Sequence, residues 1–76
     1  MTLKECDTGK AYIVERLDTD DEKAFKKICS LGILPGIEIV VLQKKPCILF
    51  KVYNSQFSID HQLAEKIYVE ELGARN

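Results

Sequence analysis

Leu31-Gly32-Ile33-Leu34-Pro35-Gly36-Ile37-Glu38-Ile39 holds a helix exit, a tight turn and a strand entry within nine residues. Gly32 stands where a helix C-terminus needs a positive φ, and Leu34-Pro35-Gly36-Ile37 has proline and glycine at the central positions of a type II turn. A helix is therefore expected before this stretch and a strand after it. Upstream, Ala24, Phe25, Ile28 and Leu31 recur at helical spacing and define an apolar face, with Lys23, Lys26, Lys27 and Ser30 on the other. The helix start falls in Asp18-Thr19-Asp20-Asp21-Glu22, where a Thr19 hydroxyl can cap the backbone and Glu22 can complete a capping box. The acidic first turn suits the positive end of the helix dipole.

On either side the pattern turns to β. After a lead-in over residues 3–9, residues 10–16 are rich in β-branched and aromatic side chains and suit a first strand. Residues 37–43 and 47–53 are two further β runs that should pair as a hairpin around Lys44-Lys45-Pro46. Asn54-Ser55 reads as a tight turn in which asparagine takes the left-handed conformation, and residues 56–59 form a short strand after it. Asp60 can cap a brief helical turn over residues 61–64, and residues 67–70 make the last strand. The expected fold is mostly β with one main helix, in the order β-α-β-β-β-(short helical turn)-β. About five short strands bury an apolar face most economically by curling into a small SH3-like β-barrel, which also removes exposed edges. Phe25, Ile28 and Leu31 would then form a lid over Ile13, Ile39, Val41, Phe50 and Val52.

Composition bounds the function. Seventy-six residues make a single domain, 1–76, since a chain this short buries only about 60% of its unfolded surface. A hydrophobic fraction of 46% and a charged fraction of 30% fit a folded chain. Eleven basic against twelve acidic side chains leave a net charge of -1, too little to bind nucleic acid or anionic lipid by bulk electrostatics. The longest apolar runs have four residues, against about 20 for a bilayer span, so no membrane insertion is expected. Met1-Thr2-Leu3-Lys4-Glu5 lacks the features of a secretory signal, which predicts a cytoplasmic protein. Cys6, Cys29 and Cys47 are odd in number and far apart, as expected of reduced thiols.

The nine-residue stretch resembles the LG-x-x-PG-x-x-I/V element of FeoA proteins, small cytosolic accessories of bacterial ferrous iron transport. The resemblance continues through Phe50-Lys51-Val52, Ile59, Leu63-Ala64 and Ile67-Tyr68-Val69, and Leu3 with Gly9 fits the family's start. It implies an SH3-like barrel that docks on the cytosolic GTP-binding domain of the ferrous iron permease FeoB. Two departures stand out: Lys44-Lys45-Pro46 lacks the glycine common in the family's second hairpin, and Asn54 or Ser55 replaces a glycine before the next strand. A related module ends certain iron-dependent repressors, whose DNA-binding domain these residues lack.

The chemistry points to binding rather than catalysis. His61 is the only histidine, with Asp60 and Glu65 nearby but no ligand set at metal spacing; it is expected at the surface, and no metal ligand or cofactor is assigned. Cys29 and Cys47 lie in apolar segments that predict burial, and neither has a base beside it. Gly32 and Gly36 lack the Lys-Ser/Thr of a phosphate loop. Tyr12, Tyr53, Tyr68 and Phe57 could line a peptide groove or pack in the core. Lys44 and Lys45 form a solvated hairpin tip or a contact for an acidic partner. Leu34 either tucks onto the helix end or stands exposed as an anchor, since the turn does not need it. Leu34, Lys44, Lys45 and Tyr53 are thus the candidate partner-binding residues. Two alternatives remain: iron sensing through His61 and acidic groups, and acceleration of a partner's GTP hydrolysis by an arginine, for which only Arg16 and Arg75 exist.

Overall fold

The β-branched runs form five strands and the periodic segment forms one substantial helix. The computed structural model describes residues 1–75, with side chains through residue 73. A 3₁₀ turn, Leu3–Glu5, leads into β1 (Ala11–Leu17) and α1 (Glu22–Ser30). Then come β2 (Glu38–Gln43), β3 (Ile48–Val52), β4 (Ser55–Ile59), the single-turn α2 (His61–Ala64), β5 (Ile67–Glu71) and a 3₁₀ turn over Leu72–Arg75. None of the described helices is long and apolar enough to cross a membrane.

All strand pairings are antiparallel, in the order β4-β3-β2-β1-β5. Among the described residues β4 and β5 do not pair, so the sheet is open where a closed barrel was expected. The two edges differ. The β5 edge is covered by the N-terminal segment, through a bridge between Thr2 and Tyr68 and a bond from the Val69 N–H to the Met1 carbonyl at 2.8 Å. No described strand covers β4.

One face of the sheet holds the core: Tyr12 and Val14 of β1, Ile39 and Val41 of β2, Ile48, Phe50 and Val52 of β3, Ile59 of β4, and Ile67 and Val69 of β5. Ile39, Val41, Phe50 and Val52 are buried as expected, but β1 has the opposite phase, with Ile13 only half-buried. Tyr12 can go inside because its hydroxyl has a partner there, accepting the Asp7 N–H at 2.9 Å.

The helix differs from expectation in two details. Asp21, not Thr19, is its cap: one carboxylate oxygen accepts the N–H groups of Lys23 (2.9 Å) and Ala24 (3.4 Å). Thr19 acts one step earlier, its hydroxyl accepting the Asp21 N–H at 3.0 Å. The buried stripe is Ala24 and Ile28, one turn apart, while Leu31 is half-buried at the C-cap. Phe25 lies about 100° round the helix from Ala24 and is 46% exposed, so it is not part of the lid.

The helix exit forms a Schellman motif. The Ile33 N–H reaches back to the Ile28 carbonyl and the Gly32 N–H to that of Cys29, with Gly32 at φ 82°. The apolar contact that accompanies such a motif joins Ile28 to Ile33, both fully buried. In the next turn the Ile37 N–H bonds the Leu34 carbonyl at 3.1 Å, with Gly36 at φ 93°. A Cβ at Gly36 would meet nothing within 4 Å, so Gly36→Ala tests backbone strain alone. A loss of about 1–2 kcal/mol is expected in urea melts, the cost of a left-handed residue with a Cβ.

Candidate functional site

The antiparallel β2–β3 ladder has two ends, and the candidate residues divide between them. At one end β2 begins and β3 finishes, and the Leu34–Ile37 turn is fixed there against β1: the Gly36 N–H donates to the Val14 carbonyl at 2.7 Å and the Val14 N–H to the Ile37 carbonyl at 2.9 Å. Ile33 already fills the helix-end contact, so Leu34 projects outward and is 46% exposed. Tyr53 follows β3 directly. Val52 pairs with Ser55, which leaves Tyr53 and Asn54 as a two-residue hairpin turn. The left-handed residue is Tyr53, at φ 55°, rather than the expected Asn54. Its side chain is 77% exposed. A bulky residue at positive φ is an outlier, because its Cβ crowds the following carbonyl.

Tyr53 stands as a ridge between two shallow depressions. One, of about 260 Å³, runs between the α1 exit and the β3–β4 hairpin and is lined by Leu31, Gly32, Val52, Tyr53, Ser55 and Phe57. The other, of about 270 Å³, lies over Glu38, Val40 and Lys51. Both fall below the roughly 300–1,000 Å³ of small-molecule sites, which suits a surface that takes side chains of another protein. The first depression brings Gly32 beside Tyr53, and Leu34 is two residues further on.

Lys44 and Lys45 lie at the opposite end, roughly 15 Å away along β3. Lys45 is exposed and Lys44 half-buried. The loop is held by the Gln43 side-chain amide, which donates to the Lys45 carbonyl, and by His61, whose Nε2 lies 3.2 Å from the Pro46 carbonyl oxygen. Lys45-Pro46 is a cis peptide. The structure therefore sets Tyr53 beside the helix exit that leads into the Leu34 turn and separates the two lysines from that end of the ladder.

The other candidates are engaged elsewhere. The Arg16 guanidinium lies 4.0 Å from the centre of the Tyr68 ring, and its Nη1 is 3.7 Å from Asp18 Oδ2. The Arg75 side chain lies outside the described residues. Phe57 is half-buried, its ring centre 6.0 Å from that of Phe50. Among the described residues no group of three or more His, Cys, Asp or Glu could hold a metal.

Cys29 and Cys47 are half-buried rather than buried, and the enclosed thiol is Cys6. Burial pushes its pKa from the ordinary 9.0 up to about 11, with Lys44 opposing the shift. Burial likewise raises Tyr12, against its backbone bond from Asp7. Groups raised in the folded state hold their protons after the unfolded chain has released them. For Cys6 the resulting contribution to stability is complete below pH 9 and is lost as pH rises to about 11. Urea midpoints should fall across that window, and a Cys6→Ala variant should show a shallower fall. A maleimide should modify Cys29 and Cys47 well before Cys6 in the native protein.

The open β4 edge and the depression beside Phe57 were not anticipated from sequence. The signal available was Ser55-Gln56-Phe57-Ser58-Ile59, a strand without charge or proline.

Comparison with known proteins accords with this fold. Residues 1–71 match the family described as the FeoA domain. An iron uptake regulatory protein (FeoA) of known crystal structure is 30% identical, with 95% of this chain and 96% of that one covered and a TM-score of 0.86. The zinc complex of Stenotrophomonas maltophilia FeoA, described as a prokaryotic SH3 domain protein, is 22% identical over 92% of this chain and 89% of that one, with a TM-score of 0.81. A manganese-dependent transcriptional repressor shares the fold at 21% identity and a TM-score of 0.85, with 95% of this chain but 41% of the repressor covered. No curated protein matches the chain. The family match over nearly the whole length, with the shared SH3-like fold, shows that this chain belongs to the FeoA family of ferrous iron transport.

Proposed function

We propose that this chain is a non-enzymatic accessory module of ferrous iron uptake that acts in the cytoplasm by docking on the GTP-binding domain of the FeoB permease. In this reading the open five-stranded sheet with its helix is an SH3-like module, and the end that carries Leu34 and Tyr53 is its docking surface. The observation that supports it is the placement of those two residues. Each is a large side chain that the fold does not need where it stands: Ile33 makes the helix-end contact in place of Leu34, and a smaller residue would relieve the backbone at Tyr53. An arginine acting in trans is less well supported, since Arg16 is stacked on Tyr68.

Lys44 and Lys45 enter the proposal as an electrostatic contact at the far end of the sheet. Reversing both, Lys44→Glu with Lys45→Glu, is expected to slow association several-fold at low salt and to flatten its salt dependence, with little change in dissociation. Stopped-flow mixing at several ionic strengths checks this.

The direct test is a pull-down of the purified cytosolic domain of FeoB by this chain, with and without GTP and Fe(II). Retention in at least one nucleotide state is expected. Absence of retention in every state, at concentrations well above those of a working complex, would remove the docking reading.

A further inference from the structure

Among the described residues, one edge of the sheet, β4, has no covering strand. Sheet edges offer a row of free N–H and C=O groups, and proteins blunt them with charge, proline, bulges or a covering segment. The β5 edge has such a cover in Met1 and Thr2, and β5 itself carries Glu70 and Glu71. β4 has none of these devices. Ser55-Gln56-Phe57-Ser58-Ile59 contains no charge and no proline, and its pairing with β3 runs without a bulge from Val52↔Ser55 to Ile48↔Ile59.

The register fixes which groups face outward. A two-residue turn makes Val52 and Ser55 a hydrogen-bonded pair, so by alternation Phe50–Phe57 and Ile48–Ile59 are bonded too. The N–H and C=O of Gln56 and Ser58 then point away from β3 into solvent. Phe57 lies between them, half-buried on the core face and lining the depression with Leu31, Val52 and Tyr53.

We infer that β4 pairs with β4 of a second copy of this chain, antiparallel about a twofold axis at Phe57. Three observations favour a second copy as occupant. An antiparallel twofold pair sets Gln56 opposite Ser58 of the second copy on both sides of the axis, so the free donors and acceptors of each strand meet their complements. It also sets each Phe57 opposite its counterpart in a non-hydrogen-bonded pair, where cross-strand side chains approach closest, and covers the half-exposed rings. Finally, self-pairing places any charge on a strand near its own copy, and β4 is free of charge in a chain whose net charge is only -1. A five-residue strand buries little area, so the dimer is weak and concentration-dependent. It goes beyond permease docking and would compete with a partner for the depression beside Tyr53.

The test is amide hydrogen exchange followed by NMR from about 20 µM to about 1 mM protein, with sedimentation velocity on the same samples. Protection of the Gln56 and Ser58 amides is expected to rise with concentration several-fold, together with a shift toward dimer. Ser58→Pro removes an outward N–H and an exposed hydroxyl; it should keep the monomer fold while abolishing the rise in protection at Gln56 and the shift toward dimer. Should that variant unfold, Gln56→Lys with Ser58→Lys places like charges opposite each other and should abolish dimer at low salt, with partial recovery at high salt. A species that stays monomeric to about 1 mM with unchanging exchange at both amides would overturn the inference. So would a dimer that survives these substitutions, or protection of those amides only by the cytosolic domain of FeoB.

Discussion

Ile28→Ala is expected to destabilise the domain by about 2–5 kcal/mol, the range for truncating a fully buried aliphatic side chain in a core that cannot collapse around the gap. In a chain of this length a single core supplies on the order of 3–5 kcal/mol, so the variant should be at or near the edge of folding. The position is sensitive for two reasons. Ile28 is the main anchor of a nine-residue helix whose buried stripe is only Ala24 and Ile28, and it is also one half of the apolar contact that closes the helix exit. Ile33→Ala should therefore cost a similar amount, and the double variant less than the sum, because the two share one contact. Lys27→Ala, one residue away and exposed, should be close to neutral. Urea melts of the four proteins check the set, and equal small losses at Ile28 and Lys27 would contradict the helical phase.

The second large effect concerns Tyr53, where stability and binding should move in opposite directions. Tyr53→Gly removes a Cβ from a left-handed position and is expected to raise stability by about 1 kcal/mol. The same change removes the most exposed aromatic ring at the proposed interface and should weaken FeoB binding at least about tenfold, as loss of a hot-spot aromatic does. Tyr53→Phe should bind within a few-fold of the original. Leu34→Asp supplies the independent arm: the side chain is exposed, so its thermal melt should change little while binding is lost. If Leu34→Asp instead unfolds the domain, Leu34 is part of the core after all.

Much of the fold was legible because its signals are local. Gly32, Pro35 and Gly36 fix the helix exit and turn through backbone geometry, and the structure has both where the residues place them. Strand phase was legible where apolar and polar residues alternate, as in Phe50-Lys51-Val52, and illegible in Ala11-Tyr12-Ile13-Val14, where four apolar residues in a row carry no period. There Tyr12 takes the buried face, where its hydroxyl accepts the Asp7 N–H, a partner that periodicity does not show. Helical spacing marked Phe25 as apolar-facing, but a short helix buries a narrower stripe than its apolar positions could cover. The turn at Tyr53 was displaced by one residue because strand register, not the residue best suited to a left-handed φ, sets which positions form a two-residue loop. Sheet closure depends on how strand ends meet across the whole molecule, and the N-terminal cover of β5 has no local signal at all.

For the candidate site the sequence brought out the right residue types without their grouping. Leu34 and Tyr53 are 19 positions apart, and the turn that holds Leu34 and the end of β3 that precedes Tyr53 lie at the same end of the β2–β3 ladder only because that ladder is antiparallel. Lys44 and Lys45, each nearer in sequence to Leu34 and to Tyr53 than those two are to one another, fall at the other end for the same reason.

An NMR titration of isotope-labelled chain with the unlabelled cytosolic domain of FeoB tests the docking surface most directly. The amides expected to shift or broaden first are those of Gly32, Leu34, Gly36, Tyr53 and Ser55, with Lys45 weaker and salt-dependent. Shifts confined to the opposite surface, around Arg16 and Tyr68, or no shifts with saturating partner, would contradict it.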